Sequence, residues 1–213
     1  MRIVLLDNYD SFVYNLVDQC RVLGATTAVY RNSAPLSQVL AALEPTATEE
    51  AEGIRPLLCV SPGPGHPRTA GTLMALTEAA LRRGIPFLGI CLGFQGLVEQ
   101  CGGSITRIEP VHGQADRIYL TAAGRQEPGF VSLACSHLDV ARYHSLGTRR
   151  LPDSLVPLAH TGDDVVMAAK HHTQPAIGLQ FHPESLLTGQ GPALLTALIG
   201  VLTGAMNNAR RRT

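Results

Sequence analysis

Short apolar runs and amphipathic stretches take turns along the first hundred residues. Residues 3–6, IVLL, are apolar without alternation. In the following DSFVYNLVDQCRVLG, Phe12, Val13, Leu16, Val17, Cys20 and Leu23 recur at the spacing that lines one helix face. Asp10 or Ser11 is placed to cap that helix and Gly24 to stop it. A β-rich TAVY (27–30) leads into a second helical stretch marked by Leu36, Val39, Leu40 and Leu43. The polar EPTATEEAEGIRP, broken by prolines and glycine, reads as a surface loop. LLCV (57–60) ends at SPGPGHP, GTLMALTEAALRRG is helical, and PFLGI runs into Cys91 and a helix that stops at Gly102-Gly103. Uniformly apolar strands, each followed by a helix, predict βαβ units and a parallel sheet covered on both faces.

Beyond residue 103 the rhythm changes. SITRI, DRIYL, LDVARYHSL, LVPLAH, VVMAAKH and AIGLQF read as strands with no long helix between them. A last helix, 192–203, has Pro192 in its first turn and Gly204 after it. The pattern predicts an α/β fold with a mostly parallel, doubly wound sheet and a β-rich second half. Residues 1–204 are expected to form one domain, and 205–213 a short basic tail ending in ARRRT. Sites on such sheets lie beyond the carboxyl ends of the strands.

Composition narrows the classes. The 213 residues are 45% apolar, and 17 basic side chains balance 17 acidic ones, so no overall field points to nucleic acid or an anionic membrane. Cys20, Cys59, Cys91, Cys101 and Cys135 are scattered without zinc or C-x-x-C spacing, which speaks against a disulfide framework or structural metal. The opening MRIVLLDNYD reads as a strand rather than a signal peptide, and no apolar stretch spans a bilayer, so a cytoplasmic location is expected.

Two short segments carry the candidate chemistry. GICLGFQ (89–95) puts Cys91 between Gly89 and Gly93 where a strand meets a helix, in the style of the Gly-x-Ser-x-Gly nucleophile turn. The helix N-terminus directs its N–H groups and positive dipole end at the sulfur, favouring the thiolate. The Leu92 N–H is the natural first donor to an oxyanion. By itself a lone cysteine is more often a small buried hydrophobe. QFHPES (180–185) follows the strand AIGL. Pro183 favours extended chain before it, so His182 and Glu184 are expected to share a face and complete a Cys–His–Glu triad. His112, His137, His144, His160, His171 and His172 show no metal-ligand spacing and read as structural or surface groups.

Together with LDNYDSFVYNL, SPGPG, VHG and RYHSL, these segments resemble the class I (triad) glutamine amidotransferases, in particular the small subunits of anthranilate and aminodeoxychorismate synthases. The resemblance implies a flavodoxin-like sheet, and attack by Cys91 on the side-chain amide of L-glutamine. It implies that His182 moves the proton and that Glu184 orients the histidine. It further implies that Gly63, Pro64 and Gly65 lie against substrate, with the Gly63 N–H as second oxyanion donor beside Leu92. Gln95, one helical turn from Cys91, would bond the glutamine, and Ser145 and Leu146 would hold its amino-acid end. No cofactor or metal is implied in this chain.

Free ammonia in neutral water is mostly ammonium, and no Gly-x-x-x-x-Gly-Lys motif marks a second active site here. A larger synthase subunit that takes up the ammonia is therefore expected, and the resemblance implies that this partner binds chorismate and Mg²⁺. YRN and the segment VVMAAKHHTQPAIGLQFHPESLLTGQG favour the anthranilate (tryptophan) type over the aminodeoxychorismate (folate) type. A γ-glutamyl or general cysteine hydrolase would share the turn and histidine but not RYHSL and LDNYDSF. A non-catalytic flavodoxin-like module would need an acidic strand end where SPGPG stands. Two positions depart from the subgroup: Phe94 replaces its usual histidine, and Gln114 the lysine common after VHG. They leave open the packing beside the pocket and the subunit contact.

Overall fold

The computed structural model describes residues 1–204; the basic tail expected at 205–213 lies outside the described residues. Among the described residues nine strands form one sheet: β1 (Arg2–Asp7), β2 (Thr26–Arg31), β3 (Leu57–Val60), β4 (Phe87–Ile90), β5 (Thr106–Leu120), β6 (His137–Gly147), β7 (Leu155–Thr161), β8 (Val166–His171) and β9 (Ala176–Leu179). Their order is β2-β1-β3-β4-β9-β8-β7-β5-β6. From β2 to β9 neighbours run parallel, and from β9 to β6 they run antiparallel. The last of these strands in the chain thus joins the two halves.

The helices are α1 (Val13–Val22), α2 (Leu36–Ala42), α3 (Ala47–Glu52), α4 (Leu73–Arg83), α5 (Leu92–Gln100), α6 (Pro128–Val131) and α7 (Gly191–Thr203). Strand pleating sends alternate side chains to opposite faces. Ile3, Leu5, Leu57, Cys59, Leu88, Ile90, Ile177 and Leu179 meet α1, α6 and α7 through Leu16, Phe130 and Leu198. Val4, Leu6, Leu58, Val60 and Phe87 meet α2, α4 and α5 through Val39, Leu76 and Leu97. Each fully buried aliphatic or aromatic side chain contributes roughly 1.5–3 kcal/mol, so the two layers fix the strand order.

Three expectations are corrected here. The segment read as a loop, 44–56, contains helix α3, whose capping box pairs the Thr46 hydroxyl with the Glu49 N–H and the Glu49 carboxylate with the Thr46 N–H. Its residues are not buried, so no apolar period advertises it. SITRI and DRIYL are not separate strands: β5 is continuous over Thr106–Leu120, with register shifts near Pro110 and at Gly113. The first helix starts at Val13 with Phe12 as N-cap; Asp10 accepts the Phe12 N–H at 2.7 Å but is not the cap residue, and neither is Ser11. The short α6 carries no periodicity, and nothing in the sequence pattern predicts it. Among the described residues no helix is long and apolar enough to cross a membrane.

Candidate active site

Four neighbouring strands end on one edge of the sheet. β1 delivers Asn8–Phe12, β3 delivers Ser61–Gly65, β4 delivers Cys91, and β9 delivers Gln180–Glu184. The open parallel sheet places these carboxyl-end loops side by side, although the sequence keeps them far apart.

Cys91 sits at φ 50°, ψ −96°, a left-handed conformation unusual for a residue with a side chain. Its N–H bonds the Leu179 carbonyl at 2.7 Å and its carbonyl receives the Gln95 N–H at 3.0 Å, so the turn is locked to β9 and to α5. The flanking glycines serve close approach. A Cβ at Gly89 would stand 2.5 Å from the Gly93 carbonyl carbon, and one at Gly93 would stand 2.4 Å from the Val60 carbonyl oxygen. With glycine at both places, α5 can start directly above the strand ends.

Gly63 presses on Leu92: a Cβ there would lie 3.1 Å from the Leu92 side chain and 2.6 Å from the Asn8 carbonyl oxygen. The two residues assigned as oxyanion donors are thus neighbours. Gly65, at φ +80°, needs glycine for conformation instead. The loop is pinned from below. The Asn8 N–H donates to Ser61 Oγ at 2.9 Å, the Asn8 carboxamide to the Ser61 carbonyl at 2.9 Å, and the Asn32 carboxamide to Asn8 Oδ1 at 3.2 Å. Arg68 and His66 clasp the buried Glu99 of α5 and hold the far side.

His182 Nδ1 donates to Glu184 Oε1 at 2.6 Å, and both groups are buried. The expectation of extended chain between them is corrected: they lie in a turn closed by the Ser185 N–H on the His182 carbonyl at 3.3 Å. The turn hangs on β6, where the His182 N–H bonds the Ala141 carbonyl at 3.1 Å. Thr188 accepts the Ala141 N–H and donates to the His182 carbonyl, tying the same elements. The rings of Tyr143 and Phe12 meet His182 edge-on at 5.0 and 6.0 Å between centroids. Among the described residues His182 Nε2 has no hydrogen-bond partner. Burial opposes charge on this imidazole, but the Cys91 sulfur and the Glu184 carboxylate outweigh it and push its pKa up to about 10. Asp10 stands near enough to feel His182 and Glu184, its carboxyl raised chiefly by burial.

A cavity of about 180 Å³ opens over Cys91, lined by Gly63, Pro64, Gly65, Gln95, Tyr143, His144, Ser145 and Leu146. Drug-sized sites run to roughly 300–1,000 Å³, so this one suits a much smaller molecule. A larger hollow, about 380 Å³, lies between Leu43–Ile54 and Arg83–Pro86 and holds no nucleophile. Of the residues assigned from the sequence, Gly63, Pro64, Gly65, Cys91, Gln95, Ser145 and Leu146 line the smaller cavity, Leu92 follows Cys91 in the chain, and His182, with Glu184 on its ring, packs against the lining residue Tyr143. Phe94 does not line it: it is fully buried against Gly178 of β9, in the core. Gln114 is exposed on β5. The residues that sequence reasoning passed over are Asn8, Arg142, His144 and Gln180, buried polar groups joined by contacts between distant segments. Among the described residues no group of His, Cys, Asp and Glu side chains is disposed to hold a metal ion.

A strained cysteine at a helix start, a buried His–Glu pair beside it and a small cavity define a thiol hydrolase on a flavodoxin-like sheet. The glutamine amidotransferase class-I family model matches residues 4–199, and the chain belongs to that family. It is similar to anthranilate synthase component 2 of Corynebacterium glutamicum, 44% identical over 211 residues, covering 92% of this chain and 96% of that one. The same-named protein of Haemophilus influenzae is 42% identical, covering 91% and 93%. Anthranilate synthase of Azospirillum brasilense is 40% identical over 98% of this chain, but only 27% of its own length is matched. Among solved structures, a glutamine amidotransferase of Thermotoga maritima superposes with TM-score 0.70 at 18% identity, covering 95% of this chain and 98% of that one. A Thermoplasma acidophilum protein named for GMP synthase reaches 0.79 at 21%, covering 99% and 98%. These two share the fold.

Proposed function

We propose that this chain is the glutaminase subunit of an anthranilate synthase, cleaving L-glutamine at Cys91 and passing ammonia to a chorismate-using partner. The observation that carries the reading is that Cys91 lines one small cavity with the 63–65 loop while the bonded His182–Glu184 pair interacts with its sulfur.

The steps follow from the groups present. The Cys91 sulfur adds to the side-chain carbonyl carbon of glutamine, and the oxygen takes the negative charge between the Gly63 and Leu92 N–H groups. Imidazolium is the favoured form of His182, so it holds the proton that the departing nitrogen needs. The C–N bond breaks, ammonia leaves, and a glutamyl thioester remains on Cys91. Water, deprotonated by His182, adds to the thioester, and glutamate departs as the thiol regains its proton. Glu184 holds the ring on Nδ1 throughout, leaving Nε2 for the transfers. Gln95 bonds the glutamine, and Ser145 and Leu146 take its amino-acid end.

A partner is supported by chemistry and by surface. Ammonia released to water becomes ammonium, which does not attack carbon. In the A. brasilense protein the matched part is a minor share of a longer polypeptide. Leu186 is 98% exposed two residues past Glu184, and Tyr9, Tyr14 and Leu187 are exposed on the same edge of the sheet. A second subunit covering this edge would bury them. The Mg²⁺ of the overall reaction belongs to that subunit, and both work in the cytoplasm.

The test is to co-purify the chain with its synthase and follow product from chorismate. Cys91→Ser abolishes synthesis from glutamine and leaves synthesis from ammonium salts intact. Loss of both, or aminodeoxychorismate in place of anthranilate, overturns the proposal.

A further inference from the structure

Behind the cavity runs a line of buried polar side chains whose donor and acceptor roles are all determined. Arg142, paired with Asp116, only donates, and its Nε–H reaches His144 Nε2 at 3.2 Å. His144 is neutral, because burial and then the Arg142 charge hold its pKa down at about 4. Its proton therefore sits on Nδ1 and goes to the Leu146 carbonyl, 2.9 Å away. That carbonyl only accepts, so the Gln95 group 3.1 Å from it is the amide nitrogen, Nε2. The second hydrogen on this nitrogen goes to Gln180 at 3.2 Å, which must present Oε1. Gln180 is fully buried, and its remaining amide nitrogen lies 3.5 Å from Cys91 Sγ.

Two results follow. The sulfur receives an N–H from Gln180, a donor that favours negative charge on it. Both hydrogens of the Gln95 amide are spent, so the Gln95 group left for the cavity is its oxygen, an acceptor. A glutamine side-chain amide offers N–H to such an oxygen; a glutamate carboxylate offers only more oxygen and is repelled.

We propose that Gln180 is a positioning residue that holds the Cys91 sulfur by an N–H donor and, by fixing the orientation of Gln95, makes the cavity select the substrate amide over the product carboxylate. The second part rests on the glutaminase reading; the first does not.

The test compares wild type with Gln180→Met, of similar length but without amide atoms, after thermal melts confirm folding. Iodoacetamide alkylation of Cys91 in the full chain reads the thiol without needing a partner or glutamine. Steady-state kinetics of the complex with its synthase give KM for glutamine and Ki for glutamate. In Gln180→Met, alkylation slows about fivefold and the ratio of glutamate Ki to glutamine KM falls about fivefold, as the loss of single hydrogen bonds predicts. Adding Gln180→Met to Gln95→Met slows alkylation but lowers the ratio no further. Unchanged alkylation and an unchanged ratio in Gln180→Met overturn the proposal. If Gln180→Met does not fold, Gln180→Glu replaces it: it keeps the acceptor for Gln95, so the ratio holds while alkylation slows, and a lost ratio overturns the role assigned to Gln95. A wild-type complex without glutaminase activity sinks the enzymatic reading instead, while the alkylation comparison still judges the sulfur contact.

Discussion

Gly63 has almost no freedom in its choice of residue. Any Cβ there meets the Asn8 side chain at 2.5 Å and its carbonyl oxygen at 2.6 Å, and backbone cannot give way as a flexible side chain can. Gly63→Ala should push the loop off Leu92, moving the proposed oxyanion donor. The expected outcome is a fall in kcat of roughly 10²-fold with a much smaller change in KM, read from glutaminase kinetics of the complex. His144 makes a different prediction, one of pH. Its folded pKa, about 4, lies below the unfolded value, so its stabilising share is complete above pH ~6.5 and is lost as pH falls toward 4. That share is on the order of 3 kcal/mol. Urea unfolding between pH 7 and 4 should steepen through this window in wild type and flatten in His144→Gln. The proposed triad is legible in the sequence because Gly-x-Cys-x-Gly and His-Pro-Glu are local signals. The Gln95–Gln180 contact joins residues 85 apart, and no local signal announces it.

At the scale of elements, apolar runs betray β1, β3, β4 and β9 because these strands are buried on both faces. α3 stays hidden because helical period shows only where a helix buries a face, and this one buries none. Its Thr46-x-x-Glu49 box is the available sign. Thr46→Ala should cost about 1 kcal/mol in thermal or urea unfolding and leave glutaminase kinetics alone, since α3 stands away from the cavity. β5 reads as two strands because Pro110 and Gly113 look like breaks, whereas the strand absorbs them as shifts in its pairing with β6.

Across the whole molecule, the catalytic edge carries exposed apolar side chains that no described residue of this chain covers. Leu186→Asp, at a position outside both triad and cavity, should lower affinity for the synthase subunit by about tenfold or more, measured by titration calorimetry, without altering the melting of the isolated chain. The fold also sets a timetable. Among the described residues the strand that brings the histidine is the last of nine in order, yet it takes the middle place in the sheet. A polypeptide still emerging from the ribosome has its sulfur long before its imidazole, and a gap where the two halves must join. No partial product of synthesis is able to squander glutamine; hydrolysis starts when the centre closes.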